Sequence, residues 1–171
     1  MQVMLSKMPA DGLPFQHQYK EQELDLSGHE FSFLQLPSVN GRINKIGMEM
    51  RVKGELTAKL QVTCDRCLNS AEFPVNSNFD LFYLPAEENT NQAGEVELQE
   101  RDLDFSFYED EKININELVL EQLELSLPQR ILCKTDCLGL CSQCGTNLND
   151  ESCDCQKEID PRWQALADLK S

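Results

Sequence analysis

Eight cysteines are the residues of this chain best suited to chemistry. They occur in four pairs: Cys64 and Cys67, Cys133 and Cys137, Cys141 and Cys144, and Cys153 and Cys155. Thiolates at such short spacings are preferred ligands of a tetrahedral Zn²⁺ ion. The sequence therefore predicts one or two structural zinc ions, with all eight cysteines as candidate metal ligands.

The spacing also suggests how the cysteines pair. The run Cys141-Ser-Gln-Cys144-Gly145 is typical of a zinc knuckle, in which a tight turn brings two thiolates together and glycine supplies backbone freedom. After an Asn- and Asp-rich loop, Cys153 and Cys155 can complete that site. Cys64 and Cys67 would then take Cys133 and Cys137, closing a long loop of the chain. Two arrangements stay open: a single four-cysteine site with the other cysteines free, and a two-metal cluster that shares thiolates.

Disulfides and redox chemistry are the alternatives to metal binding. The N-terminal run MQVMLSKMPADGLPF has no apolar core typical of a signal peptide, and no segment has the ~18 apolar residues of a membrane span. We therefore expect a cytoplasmic protein, in which disulfides are rare. A thiol redox role for Cys64 and Cys67 is less favoured, because redox centres place C-x-x-C at a helix N-terminus and here a β-turn is expected.

No motif indicates an enzyme. His17 and His29 begin neither H-x-E nor H-E-x-x-H, and the glycine-rich phosphate-binding motifs are absent. A catalytic zinc keeps one position open for water, whereas eight cysteines readily fill closed sites. The sequence thus predicts a non-enzymatic protein with no catalytic residues and no small-molecule substrate.

A long β-hairpin is the clearest element that could position these cysteines. Apolar residues alternate with polar ones from Met48 to Val62, with Gly54 as an expected bulge or bend, and again from Ala71 to Tyr83. This places C-x-x-C at the tip of an antiparallel pair, with Cys64 on the core-facing side.

The remaining segments are less regular. We expect irregular structure over 1–18, strands near Leu24–Leu26 and Phe31–Leu34, and a loop over 37–47 with a tight turn at Asn40-Gly41. An acidic loop over 85–102 leads to a strand at Leu103–Phe107, and a helix follows from Asn114 to Pro128. A last helix is expected from Asp160, with Trp163 on its apolar face.

Together these patterns predict an α+β fold. We expect a mainly antiparallel β-sheet with one or two helices over residues 1–130, and a small cysteine-rich zinc module with the C-terminal helix over 131–171.

The charge of the chain bears on its partners. The formal net charge is −15, and residues 87–111 contain ten acids and one base. Such a chain as a whole repels nucleic acid and favours a basic protein partner, or simply a solvated surface. Direct RNA contact would need a local basic patch, for which the candidates are Arg42–Lys45, Arg51, Lys53 and Lys59.

The ordered motifs resemble the bacterial YceD-type family. They are C-x-R-C-L at Cys64–Leu68, the acidic segment, the Pro-terminated leucine-rich helix, the cysteine run from Cys133 to Asn149, the C-x-C pair, and I-D-P-R-W-x2-L at Ile159–Leu166. The resemblance covers most of the chain from about residue 20, and the C-terminal pattern is its most specific part.

The resemblance implies a role in accumulation of large-subunit ribosomal RNA, and no catalytic activity. We therefore expect a ribosome-biogenesis factor that binds a basic ribosomal protein or a large-subunit precursor. The alternatives are a zinc-ribbon RNA-binding module and a C-x-x-C redox protein.

Overall fold

A five-stranded sheet forms the body of the computed structural model, which describes residues 1–9, 11–86, 105–155 and 162. The strands of this sheet are β2 Leu13–Gln18, β3 Phe31–Ile46, β4 Glu49–Thr63, β5 Ser70–Pro85 and β6 Phe105–Tyr108. They lie side by side in this order, and neighbours are antiparallel except for β5 and β6, which are parallel. Strands β1 Gln2–Met4 and β7 Lys112–Asn114 form a separate antiparallel pair, and helix α1 spans Ile115–Ser126. The predicted α+β class with a mainly antiparallel sheet is confirmed.

The hairpin β4–β5 follows the predicted alternation. Even positions of β4 from Met50 to Val62 face the core, and odd positions of β5 pair with them on the same face. Fully buried side chains of this face, such as Val52, Leu56 and Leu60, pack in one core with apolar residues of α1. The prediction fails only at Met48, which is 63% exposed because it lies in the two-residue turn between β3 and β4.

Strand β3 is longer than the sequence predicted. The expected loop over 37–47 is wrong, because β3 runs to Ile46 and pairs with both β2 and β4. The expected turn at Asn40-Gly41 is wrong for the same reason. Pro37 is tolerated because the register with β4 shifts between Gln35 and Ser38, where the ladder is interrupted.

Two glycines face each other in the middle of the sheet. Gly41 of β3 pairs with Gly54 of β4. On the flanking strands, Phe15 of β2 pairs with Gly41 and Phe79 of β5 pairs with Gly54. A Cβ atom on Gly54 would lie 2.3 Å from the Asn40 carbonyl oxygen and 2.7 Å from the Phe79 ring. The register of β4 continues without a shift at Gly54, so the predicted bulge is wrong. Glycine is needed there for close contact.

The N-terminal segment is more ordered than expected. Residues predicted to be irregular contain β1, a short 3₁₀ turn at Leu5–Lys7, and β2, where Pro14 is accepted because β2 is an edge strand. The strand predicted near Leu24 is wrong: residues 19–30 form turns, although Leu24 itself is buried.

Helix α1 begins as predicted. Its N-cap is Asn114, whose side-chain oxygen accepts a hydrogen bond from the Asn116 N–H at 3.2 Å. The helix ends before Pro128, and its buried residues complete the core. Leu103, most of the acidic loop and the predicted C-terminal helix with Trp163 fall outside the described residues. In the described part of the chain, no helix has the length and apolar character needed to cross a membrane.

Candidate metal centre

The eight cysteines form two groups of four. Group A contains Cys64, Cys67, Cys133 and Cys137, and group B contains Cys141, Cys144, Cys153 and Cys155. Within each group, the four sulfur atoms lie within 4.8 Å of one another. All eight cysteines are free thiols. The structure thus brings together the same two sets of four cysteines that the spacing suggested.

The sulfur spacing fits a tetrahedral metal ion. Zn–S bonds of about 2.3 Å place the sulfurs of a tetrahedral site about 3.8 Å apart. In group A, the Sγ atoms of Cys64 and Cys137 lie 3.8 Å apart and those of Cys67 and Cys133 lie 3.5 Å apart. These separations greatly exceed the ~2.05 Å of a disulfide bond. Each group can therefore hold a metal ion.

Group A joins the tip of the β4–β5 hairpin to a distant segment. Cys64 and Cys67 lie in the turn after β4, and the Asp65 N–H donates to the Ile131 carbonyl at 2.9 Å. In return, the Ile131 N–H donates to the Asp65 carboxylate at 2.5 Å. Arg66 adds a hydrogen bond from its guanidinium to the Cys137 carbonyl at 2.8 Å. The predicted position of C-x-x-C at a hairpin tip is confirmed.

Group B is built from one short segment, and its knuckle has the same backbone geometry as the hairpin tip. The Cys141 N–H donates to the Thr146 carbonyl at 2.8 Å, and the Gly145 N–H donates to the Cys141 carbonyl at 2.9 Å. At the hairpin tip, the Cys64 N–H donates to the Asn69 carbonyl and the Leu68 N–H donates to the Cys64 carbonyl, both at 2.9 Å. Two separate C-x-x-C turns therefore present their sulfurs in the same way.

The residue after each knuckle has a left-handed backbone. Gly145 has φ +74°, a conformation that glycine adopts without steric cost. Leu68 has φ +59° at the equivalent position and is 64% exposed. The hairpin tip therefore keeps a strained leucine where the second knuckle has a glycine.

Hydrogen bonds within each group lower the pKa of two thiols, Cys64 and Cys137 in group A and Cys141 and Cys144 in group B. Burial opposes ionisation of Cys64, but N–H donors of Cys67, Arg66 and Cys133 outweigh it and lower its pKa to about 6. In group B, the side chain and N–H of Thr146 lower the pKa of Cys144 to about 6.

The neighbouring thiols behave in the opposite way. The hydrogen bond with Cys67, followed by burial, raises the pKa of Cys133 to about 12, and the hydrogen bond with Cys144 raises that of Cys155 to about 12. Four crowded sulfurs cannot all carry negative charge without a cation. A divalent ion would remove this repulsion, so its binding would release the remaining protons.

The two groups differ in exposure. Cys64, Cys67 and Cys137 are buried, with only Cys133 exposed, and Leu132 and Leu140 pack against them. In group B, Cys144 and Cys155 are exposed and the other two cysteines are half-buried. Group A is therefore part of the packed structure, whereas group B lies at the surface.

Two residues that support the thiols escaped the sequence analysis. The Asn149 side-chain amide donates to the Cys137 sulfur at 3.4 Å, and its carbonyl oxygen accepts from the Leu138 N–H at 2.9 Å. Asn149 thus links the group B segment to a group A cysteine. Thr146 contacts Cys144 at 3.2 Å. Both residues lie within the run from Cys133 to Asn149, but spacing alone does not identify their contacts with the thiols.

Three of the five bases in the candidate patch, Arg51, Lys53 and Lys59, pair with carboxylates. Arg51 makes a bidentate pair with Asp80, with both distances 2.6 Å, and Lys59 pairs with Glu72 at 2.5 Å. Lys45 pairs with Met50 across the ladder, so it shares the opposite face from Arg51. This arrangement gives little support to direct RNA binding.

Fold and site together define a class of protein: a mainly antiparallel sheet whose β4–β5 hairpin tip shares a four-thiol group with a cysteine-rich segment. Residues 52–170 match the family described as large ribosomal RNA subunit accumulation protein YceD, and the chain belongs to that family. This description names an accumulation factor rather than an enzyme.

Individual relatives agree with this assignment. The chain is 30% identical over 131 residues to an uncharacterised protein of Mycobacterium tuberculosis, covering 75% of this chain and 59% of the relative. It is 29% identical over 129 residues to an uncharacterised protein of Mycobacterium leprae, covering 75% and 56%.

A plant relative carries a functional name. The chain is 27% identical over 144 residues to the chloroplastic large ribosomal RNA subunit accumulation protein YCED homolog 1 of Arabidopsis thaliana, covering 71% of this chain and 44% of that protein. The chain thus spans only about half the length of the relatives it matches. No solved structure matches it.

Proposed function

We propose that this protein is a non-catalytic cytoplasmic factor that supports accumulation of large-subunit ribosomal RNA by binding a basic ribosomal protein or an assembly intermediate. Membership of the YceD family, over residues 52–170, carries the proposal. The net charge of −15 supports a basic protein, rather than bare RNA, as the molecule it binds.

The metal in both groups is proposed to be zinc with a structural role. Sets of four cysteines are typical of closed zinc sites, which have no position for a reacting water. Such an ion would supply a crosslink, and the four sulfurs of group A would hold the hairpin tip against residues 131–137. Metal content by elemental analysis tests this: two zinc ions per chain are expected, and a chain that binds no metal would contradict it.

A redox role for Cys64 and Cys67 is less favoured by the geometry. Both cysteines lie in a β-turn and contact two further thiols, whereas redox C-x-x-C pairs sit at a helix N-terminus.

The biological role is tested in cells that lack the gene. We expect a lower ratio of large-subunit to small-subunit ribosomal RNA, restored by the intact chain supplied in trans. Recovery of ribosomal proteins with the tagged chain, after ribonuclease treatment, tests the mode of action. An unchanged RNA ratio would contradict the function, and recovery that ribonuclease abolishes would favour a zinc-ribbon RNA binder.

A further inference from the structure

A groove of about 550 Å³ lies between β6, β7 and the first half of α1. Tyr83, Phe107 and Leu118 contribute apolar surface to it, and Phe107 is 49% exposed. An exposed aromatic side chain beside a groove is a common anchor for a protein partner. The groove is separate from both cysteine groups, since no cysteine lines it.

The groove runs along strand β6. Ser106, Phe107 and Tyr108 all line it, although consecutive side chains of a strand point to opposite faces. Strand β6 is the last strand of the sheet, and within the described residues no strand pairs with its other side. Such an edge offers backbone N–H and C=O groups to which an extended peptide can pair.

The rim of the groove is acidic. Glu109, Asp110, Glu117 and Glu121 line it together with a single base, Lys112, which lies 3.8 Å from Asp110. Burial, then the charges of Glu121 and Glu117, raise the pKa of Tyr83 to about 12. Glu117 and Glu121 also lie one helical turn apart, where like charges repel. A cationic segment would relieve that repulsion.

We propose that this groove binds an extended basic segment of a partner protein, which adds as a strand to β6 and places lysine or arginine side chains beside Glu117 and Glu121. An apolar side chain of the same segment packs on Phe107. The inference rests on the proposed function and deepens it, because it assigns the docking surface and the chemistry of the bound segment. RNA does not fit this surface, since its phosphates would face the carboxylates.

The test uses the full chain and a fluorescein-labelled peptide of alternating lysine and valine residues. Fluorescence anisotropy measures its affinity for the native chain and for the Glu117→Gln/Glu121→Gln variant. We expect the double variant to bind about tenfold more weakly, since two surface charge contacts are lost. A matched control, Glu21→Gln/Glu30→Gln, changes the net charge equally at exposed residues outside the groove. It should change the affinity by less than about twofold.

A second peptide separates strand pairing from simple charge attraction. It keeps every lysine but has proline at alternate valines, so it lacks the N–H groups needed to pair with β6. We expect weak binding of this peptide. Equal binding of both peptides, or equal losses in the two double variants, would overturn the proposal. Phe107→Ala should also weaken the alternating peptide, and thermal unfolding by circular dichroism confirms that each variant is folded.

The two proposals fail in different experiments. The proposed function fails if cells lacking the gene keep a normal ribosomal RNA ratio, whatever the peptide does. The proposed docking surface is wrong if the peptide binds the groove variants as tightly as the native chain, even where the RNA ratio falls in cells that lack the gene.

Discussion

A single backbone angle distinguishes the two C-x-x-C turns. Leu68 has φ +59°, while Gly145 occupies the equivalent position with φ +74°. The left-handed conformation costs an ordinary L-residue roughly 1–2 kcal/mol. Leu68 recovers little of this by burial, because most of its side chain faces solvent. Exposed side chains held in strained conformations are often kept for contacts with another molecule.

Leu68→Gly is expected to stabilise the protein by about 0.5 kcal/mol. The variant relieves the strain, but glycine loses more conformational entropy on folding, so only part of the gain remains. Urea unfolding measures the change. Gly145→Ala should have the opposite sign, lowering stability by about 1 kcal/mol.

Leu68→Ala is the matched control for the side chain. Alanine keeps the strain and removes the exposed isobutyl group, so its stability should stay within about 0.5 kcal/mol of the native chain. If Leu68→Ala instead destabilised the fold by well over about 0.5 kcal/mol, the leucine would be a packing residue, and if Leu68→Gly were less stable than Leu68→Ala, the backbone strain would be negligible.

Among the strands, the close pairing of β3 with β4 depends on the glycine pair Gly41 and Gly54. The rings of Phe15 and Phe79 would lie 2.6 Å and 2.7 Å from Cβ atoms built on Gly41 and Gly54. The rings thus occupy the space that two side chains would fill. Glycine weakens a strand, and an aromatic side chain that covers it compensates for the lost packing.

Gly54→Ala is expected to destabilise the sheet by about 2–3 kcal/mol. Its methyl group would overlap the Asn40 carbonyl oxygen, the Phe79 ring and the Gly41 Cα atom, and the first and last of these are backbone atoms that cannot simply rotate away. Urea unfolding checks the value. Lys53→Ala, at the neighbouring exposed position, should change stability by less than about 0.5 kcal/mol. Similar losses at both positions would show that the close contact is unimportant.

Sequence patterns predicted those elements in which local and tertiary preferences agree. The alternation in β4 and β5 placed Cys64 on the core side, and capping signals located α1. In β3, by contrast, Pro37, Asn40 and Gly41 are local turn formers. Their roles there are set by distant residues: a register shift tolerates Pro37, and Phe15 covers Gly41. The spacing of the cysteines was enough to suggest how they group. The contacts of Arg66 and Asn149 with Cys137 could be found only in the structure, because Cys137 is distant from both in sequence.

On the scale of the whole molecule, the two cysteine groups have different structural consequences. Group A links residues separated by 66 positions at Cys67 and Cys133, and it lies in packed surroundings. Group B closes a segment of fifteen residues, Cys141–Cys155, with two exposed thiols. Because a crosslink that closes a longer loop restricts the unfolded chain more, group A should contribute more to global stability. The domain division at residues 130 and 131 stays a prediction, and group A has two cysteines on each side of it.

Cys64→Ser and Cys155→Ser should therefore behave differently. The first should remove one zinc ion and lower the stability of the sheet by about 3 kcal/mol or more, reducing its melting temperature by roughly 10 °C. The second should also remove one zinc ion but shift the sheet's melting temperature by less than about 2 °C.

Elemental analysis measures the zinc content, and thermal unfolding followed by the β-sheet signal in circular dichroism measures the melting temperature of the same samples. The serine hydroxyl is close in size to the thiol, so packing changes are small and metal loss dominates. Equal shifts in melting temperature would contradict the assignment of the global crosslink to group A.

The long connection closed by group A also has a consequence for the order of events during translation. Cys64 and Cys67 are synthesised before β5, and Cys137 follows 73 positions after Cys64. At typical bacterial and eukaryotic elongation rates this takes about 4–15 s. During that interval the hairpin can form, but its tip holds only half a set of ligands. Capture of a metal ion by all four thiols would thus mark the moment at which the nascent chain has reached its cysteine-rich end.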